Sequence, residues 1–168
     1  MSRTPTYKMK FKRRRELRTD YKKRLALLKS GKARFVVRKS SNSAIAEVVV
    51  YRPEGDMVKA SFTSSSLRKL GWKGHSGNLP SAYLAGYACA KKALRQGVKQ
   101  AVLDIGLISP VHGSVPFAAL KGALDAGLAV PADAGVFPSQ ERCMGRHISD
   151  ETARNFSEVK SAIERELG

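Results

Sequence analysis

Acidic residues are scarce in this chain: 14 Asp and Glu stand against 31 Lys and Arg in 168 residues, for a formal charge of +17. Cysteine is scarcer still. Cys89 and Cys143 are too few for a disulfide framework and lack metal-ligand spacing, which leaves both as buried or inert thiols. No run reaches the roughly 18 apolar residues needed to cross a bilayer. No apolar stretch follows the first charges as a secretory leader would require, so the sequence predicts a soluble, cytoplasmic protein. The three histidines, His75, His112 and His147, are neither paired at helical spacing nor set beside a cysteine, and they support no zinc site. A G-x-S-x-G nucleophile elbow is missing. Gly31 and Lys32 have neither the upstream glycine nor the following hydroxyl of a phosphate-binding P-loop. These absences leave catalysis without a candidate centre and predict no cofactor and no metal.

What is present is charge concentrated in one place. From Met1 to Ser40 the chain carries sixteen Lys or Arg and two acids, net +14, leaving +3 for the other 128 residues. The last segment, 135–168, is slightly acidic. Spread evenly, excess charge serves solubility; gathered in one arm, it is the footprint of a polyanion binder. The body has an ordinary 42% of hydrophobic residues and the size of one domain with appendages. The expected division is a basic arm and helix over 1–30, a globular core over 31–134 and a C-terminal extension over 135–168.

Met1 to Phe11 has no apolar period and reads as an extended arm that orders only on its partner. Leu17, Tyr21, Leu25 and Leu28 then recur at spacings of four, four and three, which predicts one amphipathic helix ending at Ser30 and Gly31, with Asp20 able to cap a shorter version. Arg14, Arg15, Arg18, Lys22, Lys23 and Lys29 occupy its other faces. A basic amphipathic helix also suits an anionic membrane or a calmodulin groove, but this stripe has no Trp or Phe anchor and suits docking on the protein's own sheet. The RRR run favours phosphate, because planar guanidiniums grip it bidentately. Helix-turn-helix, zinc-finger, basic-zipper and RRM signatures are all missing; an arm that orders on its target fits folded RNA rather than DNA.

Three β-rich runs follow, Ala33 to Lys39, Ser43 to Arg52 and Met57 to Thr63, joined by the turn-forming stretches SSNS and PEGD, and they predict an antiparallel meander. After a possible helical turn in SSSLRKL comes a Gly-rich loop from Gly71 to Asn78. Pro80 then opens a helix to Gln96, Ala101 to Ile105 forms a strand, Val115 to Ala126 a second helix, and Leu128 to Val130 a last short strand. The order βββαβαβ describes an α/β fold: a mixed sheet, meander plus crossover strands, with flanking helices. A C-terminal helix follows Ser149, with Ile148, Ala153, Phe156, Val159 and Ile163 as its stripe.

That layout is also ribonuclease-H-like, so a metal-dependent nuclease must be weighed. Such enzymes need carboxylates around divalent metal, one of them on the first strand. Here the first strand reads ARFVVRK and offers Arg34, Arg38 and Lys39; only Asp104 sits at a strand end. In the loop GWKGHSGN, Trp72 is the only tryptophan, flanked by Lys73 and His75, and it suits either stacking on an unpaired base or anchoring the core. In ISPVHGS, Ser109, His112 and Ser114 are placed to bond phosphate at a helix entry.

The blocks FKRRRELRTDYKKRLALLKSGKARFVVRKSSN, LGWKGHSGNLPSAYLAGYACAKKAL, AVLDIGL and FAALKGALDAGL, with the gaps between them, resemble the archaeal version of the universal large-subunit ribosomal proteins of the L-eighteen type, called L-five type in eukaryotes. The likeness runs from about Tyr7 to Ile148. It implies a structural rRNA-binding protein of the central protuberance, anchoring 5S rRNA to the large-subunit rRNA beside neighbouring large-subunit proteins, with no membrane or DNA partner. It also implies an RNA-binding surface from three places: Lys10, Lys12, Arg13, Arg14, Arg15, Arg18, Tyr21, Lys22 and Arg24 in the arm and first helix; Arg38, Lys39 and Asn42 at the first sheet turn; Trp72, Lys73 and His75 in the Gly-rich loop. Ser41 and Ser43 make the sheet turn less basic than the family pattern, and the helix after Ser149 matches no motif.

Overall fold

The computed structural model describes residues 8–167; the first seven residues of the expected arm and the last residue lie outside them. Residues 8–11 belong to no helix or strand, and a single turn, α1 (Lys12–Arg15), follows. The long helix expected from the Leu17–Leu28 spacing does not form. Leu17 takes a left-handed φ of 51°, and Asp20 then starts a separate helix, α2 (Tyr21–Leu28), by accepting from the Lys23 N–H at 3.0 Å. A carboxylate at this position satisfies an otherwise orphaned N–H, so a new start there outcompetes continuation through residues 16–20. The stripe is not buried: Leu17 is 77% exposed, and Tyr21 and Leu25 are also open to solvent.

The strands are β1 (Ala33–Lys39), β2 (Ala44–Val50), β3 (Met57–Thr63) and β4 (Ala101–Asp104), in the spatial order β3-β2-β1-β4. β1 to β3 form the expected antiparallel meander, with a register shift at Val48/Val49, and β4 runs parallel to β1. The strand expected over Leu128–Val130 reduces to a single parallel bridge, Gln100 to Ala129. Pro131 comes directly after, and a residue without an N–H cannot extend a ladder.

Strand alternation sends Phe35 and Val37 to one face of β1, where they join the core, and Arg34 and Arg38 to the other. The core face is covered by α3 (Leu79–Arg95) and α4 (Val115–Asp125), which pack on each other and on the sheet. Two glycines permit their approach. A Cβ on Gly86 would stand 2.0 Å from the Ala119 carbonyl oxygen, and one on Gly122 would stand 2.1 Å from that of Tyr83, so the two backbones touch reciprocally.

A 3-10 segment, Ser64–Leu70, precedes the Gly-rich loop, and another, Ala134–Val136, precedes α5 (Gln140–Met144). The last helix, α6 (Asp150–Leu167), buries Phe156, Val159 and Ile163 in the same hydrophobic cluster as the sheet and α3; Ile148, assigned to that stripe by spacing, is exposed. Among the described residues no helix is long and apolar enough to cross a membrane.

Candidate nucleic-acid interface

Arg34 is 4% exposed, an expensive place for a guanidinium unless it is paired. It is paired twice, to Asp104 at 2.9 Å and to Asp56 at 2.6 Å. Asp56 also bonds Arg24 of α2 at 2.8 Å, and Asp104 bonds Arg38 at 3.1 Å. The resulting chain, Arg24–Asp56–Arg34–Asp104–Arg38, ties α2, the turn before β3, β1 and β4 together. Burial raises the Asp104 carboxyl pKa, but the Arg38 charge, the Gly106 N–H and hydrogen bonds from Arg38 and Arg34 outweigh it and hold it below its ordinary value. Asp104, the one acid weighed for nuclease chemistry, is therefore committed to arginines, and among the described residues no group of three His, Cys, Asp or Glu could hold a metal ion.

Above this chain lies a cleft of about 410 Å³ between α1, α2 and the sheet edge. Its lining gathers Arg13, Arg18, Arg24, Arg38 and Lys39 from the expected set, together with Lys23 and Arg34; Ile105, Leu107 and Ile108 form an apolar wall. Arg13 reaches across the break between the two helices to Thr19 Oγ1 at 3.0 Å, and Arg18 pairs with Glu16 at 2.9 Å. Lys10, Lys12, Arg14, Arg15, Tyr21 and Lys22 lie on the exposed surface of the same two segments.

Lys39 links the cleft to the second group. It leads into the turn closed by the Ser40 N–H to the Ser43 carbonyl at 2.8 Å, where Asn42 is exposed. The Gly-rich loop packs against that turn so closely that a Cβ on Gly77 would stand 2.6 Å from the Ser41 carbonyl oxygen. Cleft rim, turn and loop thus form one continuous strip. On the loop, Lys73 and His75 are exposed, and His75 Nδ1 accepts from the Gly77 N–H at 3.0 Å.

Trp72 departs from its expected place in this surface. Its indole is 3% exposed, belongs to the core cluster, directs Nε1 to the His75 carbonyl at 3.4 Å and lies under Gly74. Of its two sequence readings, the core anchor holds: a buried ring has no face to offer a base. Arg38 is half withdrawn as well, with Nη1 donating to the carbonyls of Val37 and Asp104. His112 is exposed on the 105–114 loop but does not line the cleft.

Lys23 falls inside the 10–24 stretch of the arm and first helix, whereas Arg34 lies outside the expected surface. The four-residue spacing of Arg34 and Arg38 on one strand, an even number, carried a signal for a shared face. The depth of Arg34 carried none, because both its partners lie far along the chain.

The sequence profile of the family described as "Ribosomal large subunit proteins 60S L5, and 50S L18" matches residues 5–100. The chain is 51% identical over 150 residues to "Large ribosomal subunit protein uL18" of Thermofilum pendens, an alignment covering 89% of this chain and 76% of that protein.

Proposed function

Since the chain belongs to this family of large-subunit ribosomal proteins, and is thus a structural constituent of the ribosome rather than an enzyme, we propose that its basic strip holds 5S rRNA and anchors it to the large-subunit rRNA in the central protuberance. The observation that carries this reading is the convergence of Arg13, Arg18, Lys23, Arg24, Arg38 and Lys39 on one cleft, continuous with the exposed turn and loop.

In this reading the cations of residues 10–24 and Lys39 neutralise phosphates, and each contact releases condensed counterions. The Arg24–Asp56–Arg34 chain sets the angle at which α2 presents them. Asn42, Lys73 and His75 extend the contact along the strip, and His112 adds a peripheral one. Trp72 contributes by shaping the loop from beneath. Three arginines, Arg24, Arg34 and Arg38, are paired with Asp56 and Asp104 and serve the scaffold first, so the phosphate count is smaller than the charge of +17 suggests. Neighbouring large-subunit proteins complete the partner set.

The test is a titration of the purified full chain with 5S rRNA and with an unrelated RNA of equal length across a salt series. The expected result is preferential binding of 5S rRNA, with log affinity falling by about 0.7–0.9 per phosphate contact for each log unit of salt. Equal affinity for both RNAs would refute the assignment.

A further inference from the structure

The C-terminal helix lies wholly beyond the residues matched by the family profile, yet it reaches the Gly-rich loop. Asn155, on α6, is 7% exposed. Its Nδ2 donates to the Gly71 carbonyl at 3.0 Å and its Oδ1 accepts from the Lys73 N–H at 3.0 Å; a third bond, Nδ2 to Glu158 Oε2 at 3.4 Å, stays within the helix. One amide side chain therefore holds the backbone on both sides of Trp72. Beneath it, the Trp72 N–H is fixed to the Leu67 carbonyl at 3.0 Å, and the indole supports Gly74. Loop residues 71–75 are clamped between an indole and an amide, and the side chains left outward are Lys73 and His75.

The helix does not depend on Asn155 to stay in place. Phe156 packs on Tyr83 with ring centroids 5.3 Å apart, Val159 and Ile163 are buried, and Glu164 accepts from the Tyr87 hydroxyl at 2.8 Å. The apolar face docks the helix, and the two shorter bonds of the amide go to the loop. Resting on the RNA-binding reading above, we infer that Asn155 is a positioning residue for that binding: it fixes the loop backbone so that Lys73 and His75 face the RNA.

The test is a double-mutant cycle in the full chain, with 5S rRNA as the probe. It compares the parent, Lys73→Ala, Asn155→Leu and the double variant, at a temperature where far-UV circular dichroism shows all four folded. In the parent background Lys73→Ala costs about fivefold in affinity, the loss of one modest contact. Asn155→Leu costs a similar factor, shifts the emission of Trp72, the sole tryptophan, to longer wavelength, and reduces the further cost of Lys73→Ala to below about twofold, because coupled residues are non-additive.

Should Asn155→Leu fail to fold, Asn155→Asp takes its place in the cycle: it keeps the acceptor for Lys73 and removes the donor to Gly71. Additive losses, or full affinity in the Asn155 variant, overturn the inference. If Lys73→Ala is silent while Arg13, Arg14 and Arg15 changed together to Ala weaken binding, the inference falls and the RNA reading stands. If the parent itself does not bind 5S rRNA, both fall.

Discussion

Arg34 Nη1 donates to Asp104 Oδ2 at 2.9 Å across the parallel pairing of β1 with β4, joining residues 70 apart in the chain. At the strand end where a ribonuclease-H-like enzyme would gather metal-binding acids, this protein has a carboxylate neutralised by two arginines. The same pair anchors the helix that carries the basic surface, through Asp56 and Arg24.

Asp104→Asn leaves the buried Arg34 with Asp56 as its one carboxylate and takes the counter-charge from the half-exposed Arg38, and it should cost about 3 kcal/mol of stability, measured as a shift in the urea midpoint. The pH dependence follows from the lowered carboxyl. A folded value below the ordinary 3.8 contributes stability that is complete above that pH and disappears as pH falls through the folded value. Thermal melting of the parent should therefore deteriorate below about pH 4, and the Asn variant should lose that part of the slope.

Changing Arg13, Arg14 and Arg15 together to Ala should flatten the log-affinity against log-salt slope for 5S rRNA by about two to three units, with melting temperature nearly unchanged because all three are exposed. An unaltered slope would remove α1 from the interface.

Trp72→Ala should act as a core lesion. Removing a buried indole costs about 3–5 kcal/mol, seen as a large drop in melting temperature, while the salt slope of whatever folded protein remains is retained. A stable variant with weakened RNA binding would restore the base-stacking reading.

Gly122→Ala should destabilise by about 3 kcal/mol or more, since the added methyl meets a carbonyl oxygen of the neighbouring helix rather than a side chain that can turn aside. The urea midpoint reports it. The same change at Gly97, beyond the end of α3, meets nothing within 4 Å and costs only the strain of a positive φ.

Burial raises the Cys89 thiol to about 12 and moves Cys143 upward as well. Neither should react with a thiol-specific disulfide reagent at pH 8 in the native state, and both should react once the chain is unfolded in urea. Rapid native labelling would place one of them outside the core.

The strands and turns were legible because their information is local. ARFVVRK and MVKASFT are flanked by turn residues and form strands over the expected residues, and Pro80 marks the start of α3 to within one residue, as a preset φ should. Spacing misled where two local signals competed. The Leu17–Leu28 stripe argued for one helix and Asp20 for a break, and the cap prevailed because the stripe has no surface to bury against.

The concentration of basic charge before residue 40 and the antiparallel meander were settled by the order of residues alone, since backbone preference and charge act over a few positions. Which cations are spent on Asp56 and Asp104, that Trp72 lies inside, and that Asn155 grips a loop 82 and 84 residues earlier were decided only by the tertiary structure. Pairing and burial depend on partners that chain spacing does not specify, and the cost of a buried unpaired charge is set by where the fold brings those partners.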